Sequence, residues 1–337
     1  MNSNQQAREL KRVIGAIRSN RRFLISSHIN PEGDALGSAL ALAFLLKRMG
    51  KQVTLANEGG IPEAFRFFPC PVPVLSRPKA GFKADVSFIV DVPVFSRVGS
   101  IAAMIQKIPT VICIDHHVSN QGFADINWVD PKAAATGELI YRLYQAFGVK
   151  PKFPEALCLY VSIVTDTGSF RYMNTTPAVH RIVAELIATG VSPLKMSQAL
   201  FESYAPSDLK FLGTILRSIR HSPDEKIVWL EVPYRLLKDF RAGTEIVDEL
   251  VNYPRSIRTA LVAFVLRETP DRKKVRVSFR SKGTVDVDQI ARTFGGGGHM
   301  AASGCTIEGS LARARARVLK AARQALKKRR DGRPASY

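Results

Sequence analysis

The sequence predicts a two-domain α/β protein: a first domain with a mostly parallel sheet flanked by helices, then a smaller α+β domain. Three observations carry that prediction. Short apolar runs alternate with longer helical-period segments from Phe23 to about Gly190, the pattern of β/α units. The composition then turns helical and charged, which puts a boundary near residues 190–205. Finally, 337 residues with 46% hydrophobic content exceed what one average domain uses.

Along the first domain, the polar opening MNSNQQARELKR reads as a surface helix, not as a secretory or transit peptide. Strands are expected at FLISS (23–27), KQVTLAN (51–57), VSFIVDV (86–92) and TVICID (110–115), each rich in Val, Ile, Phe or Thr. Apolar residues at three- and four-residue spacing predict helices over Asp34–Met49, Ala135–Phe147, Glu155–Val164 and Pro177–Thr189, the last ending at Gly190. We divide the chain into a first domain at 1–192, a linker and connecting helix at 193–220, a second domain at 221–326 and a basic tail at 327–337. The second domain offers strands at 226–232, 259–268, 274–281 and 304–308, and helices at Thr244–Leu250 and Val287–Phe294.

Composition limits the function classes. The longest apolar stretch, Ala39–Leu46, is far short of the roughly 20 residues a bilayer span requires. Cys70, Cys113, Cys158 and Cys305 are scattered without any C-x-x-C spacing, so neither a disulfide framework nor a zinc site is expected, and a reducing cytoplasm is the natural compartment. The 49 Lys and Arg against 29 Asp and Glu give a formal charge of +20, which favours a polyanionic partner or substrate. Ten of those cations and one acid lie between Leu311 and Arg333. That segment reads as a helix fraying into Gly, Pro and Ser, serving either as a solvated basic face or to steer nucleic acid.

Five constellations carry chemistry. In SSHINPEGDALGS, His28, Glu32 and Asp34 crowd seven positions after a strand, at the edge where open α/β sheets bind ligands. Asp34 also suits a helix N-cap. In FIVDVPVFSRVG, Asp91 closes an apolar strand and Arg97 follows. VICIDHHVSN delivers Asp115, His116 and His117 to the same edge. Neighbours in an extended segment point to opposite sides, so one imidazole can ligate a metal while the other meets a substrate phosphate. In LYVSIVTDTGSFRY, Asp166 interrupts an apolar stretch and is followed by Arg171. Burying such strand-end carboxylates unpaired is costly, and a divalent cation is their natural partner. In FGGGGHM, Gly296, Gly297 and Gly298 belong to a run of four glycines before His299, which is either an anion cradle or a flexible loop.

Taken in order, these motifs resemble the DHH phosphoesterase family, with a DHHA1 domain as the second unit, across almost the whole chain. The resemblance implies two Mn²⁺ ions, with Mg²⁺ or another divalent cation as substitutes. One would be held by His28, Glu32 and Asp91, the other by Asp34, Asp91, His116 and Asp166, with Asp91 bridging. Asp115 would orient a ligand and His117 would contact the scissile phosphate or help the leaving group. Arg97, Arg171, Arg280, Gly296, Gly297, Gly298 and His299 would bind substrate. The family usually has Asp where this chain has Glu32, and often an acid where it has Val94. The length resembles bacterial members that degrade short oligoribonucleotides and dephosphorylate 3′-phosphoadenosine 5′-phosphate (pAp). The alternatives are a phosphodiesterase for cyclic or linear dinucleotides, such as cyclic di-AMP, and a nucleotide- or RNA-binding protein that has lost the chemistry. A homodimer is compatible with either.

Overall fold

Runs of β-branched and aromatic residues build a first sheet of six parallel strands: β1 (Arg22–Ser26), β2 (Gln52–Ala56), β3 (Val74–Leu75), β4 (Val86–Val90), β5 (Thr110–Asp115) and β6 (Ile126–Val129). The computed structural model describes residues 3–78, 81–202, 204–240 and 244–331. They form two units, Met1–Glu202 and Ser203–Tyr337. The first sheet runs β3-β2-β1-β4-β5-β6. The chain moves outward from β1 through β2 to β3, then returns to place β4 on the other side of β1. The strand order therefore reverses between β1 and β4, and a crevice opens there at the carboxyl ends. The two-residue β3 and four-residue β6, which the sequence does not announce, are the edges.

Every residue of β4 is buried, as a central parallel strand requires. On one face lie the helices Gly33–Arg48, Thr136–Ala146 and Phe153–Asp166, which share a core with Phe23, Phe88, Ile112 and Trp128. The other face carries a smaller core of Leu24, Ile89, Val98 and Ile105. The N-terminal helix Ser3–Ser19 buries Val13 and Ile17 and donates from Gln6 to the Val129 carbonyl at 2.5 Å. Two of the main helices approach closely, because a Cβ on Gly37 would stand 2.4 Å from the Cys158 carbonyl oxygen. Only glycine permits that contact.

In the second unit, β7 (Arg220–His221), β8 (Ile227–Val232), β9 (Val262–Glu268), β10 (Lys274–Ser281), β11 (Gly297–His299) and β12 (Ala302–Glu308) form a sheet in the order β11-β12-β10-β9-β8-β7. Among the described residues, only β8 and β9 pair in parallel. Val275, Val277 and Phe279 point to one face, where they meet Ile290 and the C-terminal helix Leu311–Asp331 through Ala314, Val318 and Ala322. Leu230, Val232 and Val265 point to the other, against Phe211, Ile215 and Leu250. The helix Pro206–Leu216, from the stretch assigned to the connection, thus packs into this unit. The frayed end expected after the basic helix lies outside the described residues. Among the described residues, no helix is long and apolar enough to cross a membrane.

Candidate metal centre and active site

Three parallel strands end side by side, and each delivers a titratable group to the crevice. His28 follows β1, Asp91 follows β4, and Asp115 closes β5 ahead of His116 and His117. Asp34 comes from the first turn of the helix Gly33–Arg48. Asp166 is the last residue of the helix Phe153–Asp166, not a strand-end carboxylate as the apolar run around it suggests. The structure brings these groups together. His28 Nε2 lies 3.7 Å from Asp91 Oδ2. His116 Nε2 lies 3.7 Å from Asp34 Oδ2, 3.7 Å from Asp91 Oδ1 and 3.4 Å from Asp166 Oδ2. All are buried except His117, which is part-buried, and Asp166, whose side chain is 32% exposed.

The donor set fits a divalent cation. Donors about 2.1 Å from one ion stand about 3.0–3.6 Å apart in tetrahedral or octahedral arrangements, close to the separations around His116. Each imidazole is also oriented for ligation. Nδ1 of His28 lies 2.8 Å from the Ile29 carbonyl and Nδ1 of His116 lies 3.3 Å from the Ala133 carbonyl. A proton on Nδ1 makes those bonds and leaves the Nε2 lone pair toward the carboxylates. Asp34, Asp91 and His116 place one ligand atom each within 4.8 Å of one another.

One sequence reading changes. Asp34 does not cap its helix: the N-cap is Glu32, which makes no side-chain capping bond. Asp34 instead accepts from the Thr136 and Gly137 backbone N–H groups at 2.7 and 3.1 Å, and from the Ser38 and Ser162 hydroxyls at 2.9 and 2.5 Å. Glu32, expected as a ligand with His28 and Asp91, is exposed. Its charge reaches the site by adding to the repulsion on Asp166.

Thr136 is the residue the sequence did not single out. Besides its N–H bond to Asp34, its hydroxyl donates to Asp91 Oδ1 at 3.1 Å. The start of the helix Thr136–Ala146 therefore clamps two carboxylates, and the favourable field at a helix N-terminus suits their charge. A Cβ on Gly137 would stand 1.9 Å from Ser162 Oγ, so glycine there lets Ser162 reach Asp34. Asp91 itself has φ +60°, a left-handed backbone that Asp tolerates better than most residues. Asp115 is fully buried and saturated. It accepts from the His116 and His117 N–H groups, from His117 Nδ1 at 2.7 Å and from Asn120 Nδ2 at 2.7 Å. Asn57 secures the first strand end by donating to the His28 carbonyl and accepting from Ser27.

The electrostatics show a pocket with surplus negative charge. Burial, then the Asp91 charge, pushes Asp34 up to about 7. Burial also raises Asp91, but its contact with His28 and the charges of His117 and His116 outweigh that and hold it well below the carboxylate range. Asp166 is raised by burial and by Asp91, against the pull of His116. Burial lowers His117, yet the Asp115 charge and hydrogen bond carry it up to about 9. Carboxylates that oppose one another in this way are relieved by a bound cation.

The expected substrate contacts are more scattered. Arg97 and Arg171 are exposed; Arg97 accepts from the Ile29 N–H through its carbonyl at 2.8 Å, and Arg171 Nε donates to the Gly168 carbonyl at 2.7 Å. In the second unit, Arg280 Nη1 donates to the Phe279 carbonyl at 3.0 Å, while its Nε is buried with no partner among the described residues. The glycine run is no loose loop, since Gly297, Gly298 and His299 form β11 against β12. Glycine is needed for that pairing: a Cβ on Gly296 would stand 2.1 Å from the Gly304 carbonyl, and one on Gly298, at φ +153°, would stand 2.6 Å from that of Ala302.

Comparison with known proteins agrees with this geometry. The model of the DHH family, N-terminal domain, matches residues 22–163, and that of the DHHA1 domain matches residues 226–328. The chain is 33% identical over 330 residues to the bifunctional oligoribonuclease and PAP phosphatase NrnA of Thermus thermophilus, covering 95% of this chain and 93% of that one. It is 27% identical over 291 residues to the Bacillus subtilis protein of the same name, covering 85% and 89%. A crystal structure of an exopolyphosphatase-related protein from Bacteroides fragilis matches with a TM-score of 0.84 at 25% identity, covering 96% of each chain. This chain belongs to the DHH phosphoesterase family, with a DHHA1 domain in its second unit, and is a hydrolase of phosphoester bonds.

Proposed function

We propose that this chain hydrolyses short oligoribonucleotides to mononucleotides and removes the 3′-phosphate of pAp, with two Mn²⁺ ions as cofactors. The observation that carries the reading is the convergence of His28, Asp34, Asp91, His116 and Asp166 at one sheet edge, with His117 beside them. The two relatives named above are described as an oligoribonuclease and PAP phosphatase, which supports this substrate class. His28, Glu32 and Asp91 would hold one ion, and Asp34, Asp91, His116 and Asp166 the other. Imidazole and carboxylate donors suit manganese. When bound, a metal pair supplies an activated water and neutralises charge on the phosphoryl oxygens.

The chain's own groups do the rest. Asp115 fixes His117 through Nδ1, so the imidazole stands oriented to donate to a phosphoryl oxygen or to the departing ribose oxygen. Thr136 holds Asp34 and Asp91 apart in fixed directions. In the first unit Arg97 and Arg171 are proposed as contacts for phosphates that are not cleaved, and in the second unit Arg280, Gly296, Gly297, Gly298 and His299 are proposed as phosphate contacts of their own, since guanidinium offers a planar fork to phosphate. The test is a side-by-side rate comparison on pApA, pAp, pGpG and cyclic di-AMP with Mn²⁺. Mononucleotides from pApA and AMP from pAp are expected. Intact pApA with folded enzyme would refute the proposal, and faster turnover of the cyclic dinucleotide would make that the principal substrate.

A further inference from the structure

The outward face of the C-terminal helix has no part in the hydrolytic chemistry described above. Leu311–Asp331 is a 21-residue helix. Its inward face is spent on the sheet through Ala314, Val318 and Ala322, and Arg315 is tied to Glu231 at 3.0 Å. Arg313, Arg317, Lys320, Arg323 and Lys327 are all exposed. At about 100° per residue, four of them share an arc of about 80°, with Arg323 at its margin. None of the five forms an ion pair among the described residues, and Leu311–Arg330 contains no acidic residue at all. The nearest aromatic contact is Arg317, whose guanidinium lies 5.2 Å from the Phe294 ring centroid.

Like charges three and four residues apart repel and weaken a helix, so the row calls for an external counter-charge. We infer that this face is a second polyanion contact, made for the phosphodiester backbone of single-stranded nucleic acid longer than the hydrolytic substrates. From Arg313 to Lys327 the row spans about 21 Å, enough to follow several consecutive phosphates. A membrane surface fits less well. Helices that lie on lipid present large apolar side chains beside their cations, and no large apolar residue from 311 to 327 is exposed. The inference does not depend on which phosphoester the hydrolytic site cleaves.

The test uses the full chain and a fluorescent, hydrolysis-resistant 2′-O-methyl RNA of roughly 20 nucleotides, with binding followed by anisotropy across a KCl series. Four to five neutralised phosphates predict a log–log salt slope of about −3. The quadruple variant R313Q/R317Q/K320Q/K327Q is expected to bind at least about tenfold more weakly and to lose most of that slope. Its thermal melt and its hydrolysis of pAp should match the wild type. R313K/R317K/R323K, which keeps the charge, should bind as the wild type does, and saturating pAp should leave the RNA bound. Unchanged RNA binding by the quadruple variant would overturn the inference, as would full displacement by pAp. Loss of binding to phosphatidylglycerol vesicles with RNA binding intact would overturn it in favour of a lipid surface.

Discussion

Thr136 enters the site twice, through its N–H to Asp34 and its hydroxyl to Asp91. Removing a group that orients metal ligands typically costs 10–100-fold in metal affinity or activity. Thr136→Val keeps the backbone bond and the shape but loses the hydroxyl. It should lower kcat for pAp about 10-fold with an unchanged melting temperature, while Thr136→Ser should retain most activity. Loss of ligands themselves is more severe. His116→Ala and Asp166→Ala should each reduce hydrolysis by roughly a thousandfold or more and weaken Mn²⁺ binding measured by calorimetry. His28, Asp34, Asp91, His116 and Asp166 could be picked out in the sequence because each interrupts or follows an apolar run with a charge that a core would not otherwise accept. Thr136 and Asn120 could not. A hydroxyl at a helix start and an Asn in a loop are ordinary, and their roles exist only once distant segments meet. Glu32, whose spacing from His28 suggests a ligand, is exposed in the fold and acts on the site through the repulsion its charge adds on Asp166.

At the scale of elements, the site depends on two helices packed closely enough for Ser162 of one to reach Asp34 of the other. Gly37→Ala would put a Cβ against the Cys158 carbonyl. Overpacking of this kind costs about 1–3 kcal/mol, visible as a lowered urea midpoint and a loss of activity beyond it. The strand starts are pinned separately. Asp85, just before β4, accepts from the Arg21 and Arg22 N–H groups and from the Arg22 guanidinium. Those bonds, the Arg22 side chain first, hold Asp85 at about 2, below the ~3.9 of a free aspartate. Its folded value is depressed, so its contribution is present above the unfolded value and disappears as pH falls through about 2. The difference in urea midpoint between wild type and Asp85→Asn should therefore be present at pH ~5 and shrink steadily between pH ~4 and ~2. The four central strands of the first sheet were legible because their continuous apolar runs leave no helical period. β3 and β6 were not, being short edge strands whose pairing is decided by their neighbours. Asp166 is a milder case: the helix Glu155–Val164 is legible from its apolar spacing, but the sequence leaves Asp166 beyond its end, and the fold carries the last turn on to Asp166.

Across the whole molecule, the order of the motifs along the chain and the reversal of strand order between β1 and β4 state the same thing in two ways, since the reversal is what gathers residues 28 to 166 at one edge. The formal charge of +20 acts at longer range, favouring the approach of polyanions by steering, an effect that salt suppresses. Its concentration on the last helix was visible in the sequence. That the cations line the outward face while Ala314, Val318 and Ala322 pack inward became clear only in the folded unit. The central claim is that the gathered carboxylates and imidazoles work by binding divalent cations. It is tested most directly by titrating Mn²⁺ into metal-stripped enzyme while following phosphate release from pAp. The account predicts no release without metal and a rise to a plateau at two ions per chain. Full activity in excess chelator, or a plateau reached with no ion bound, would contradict it.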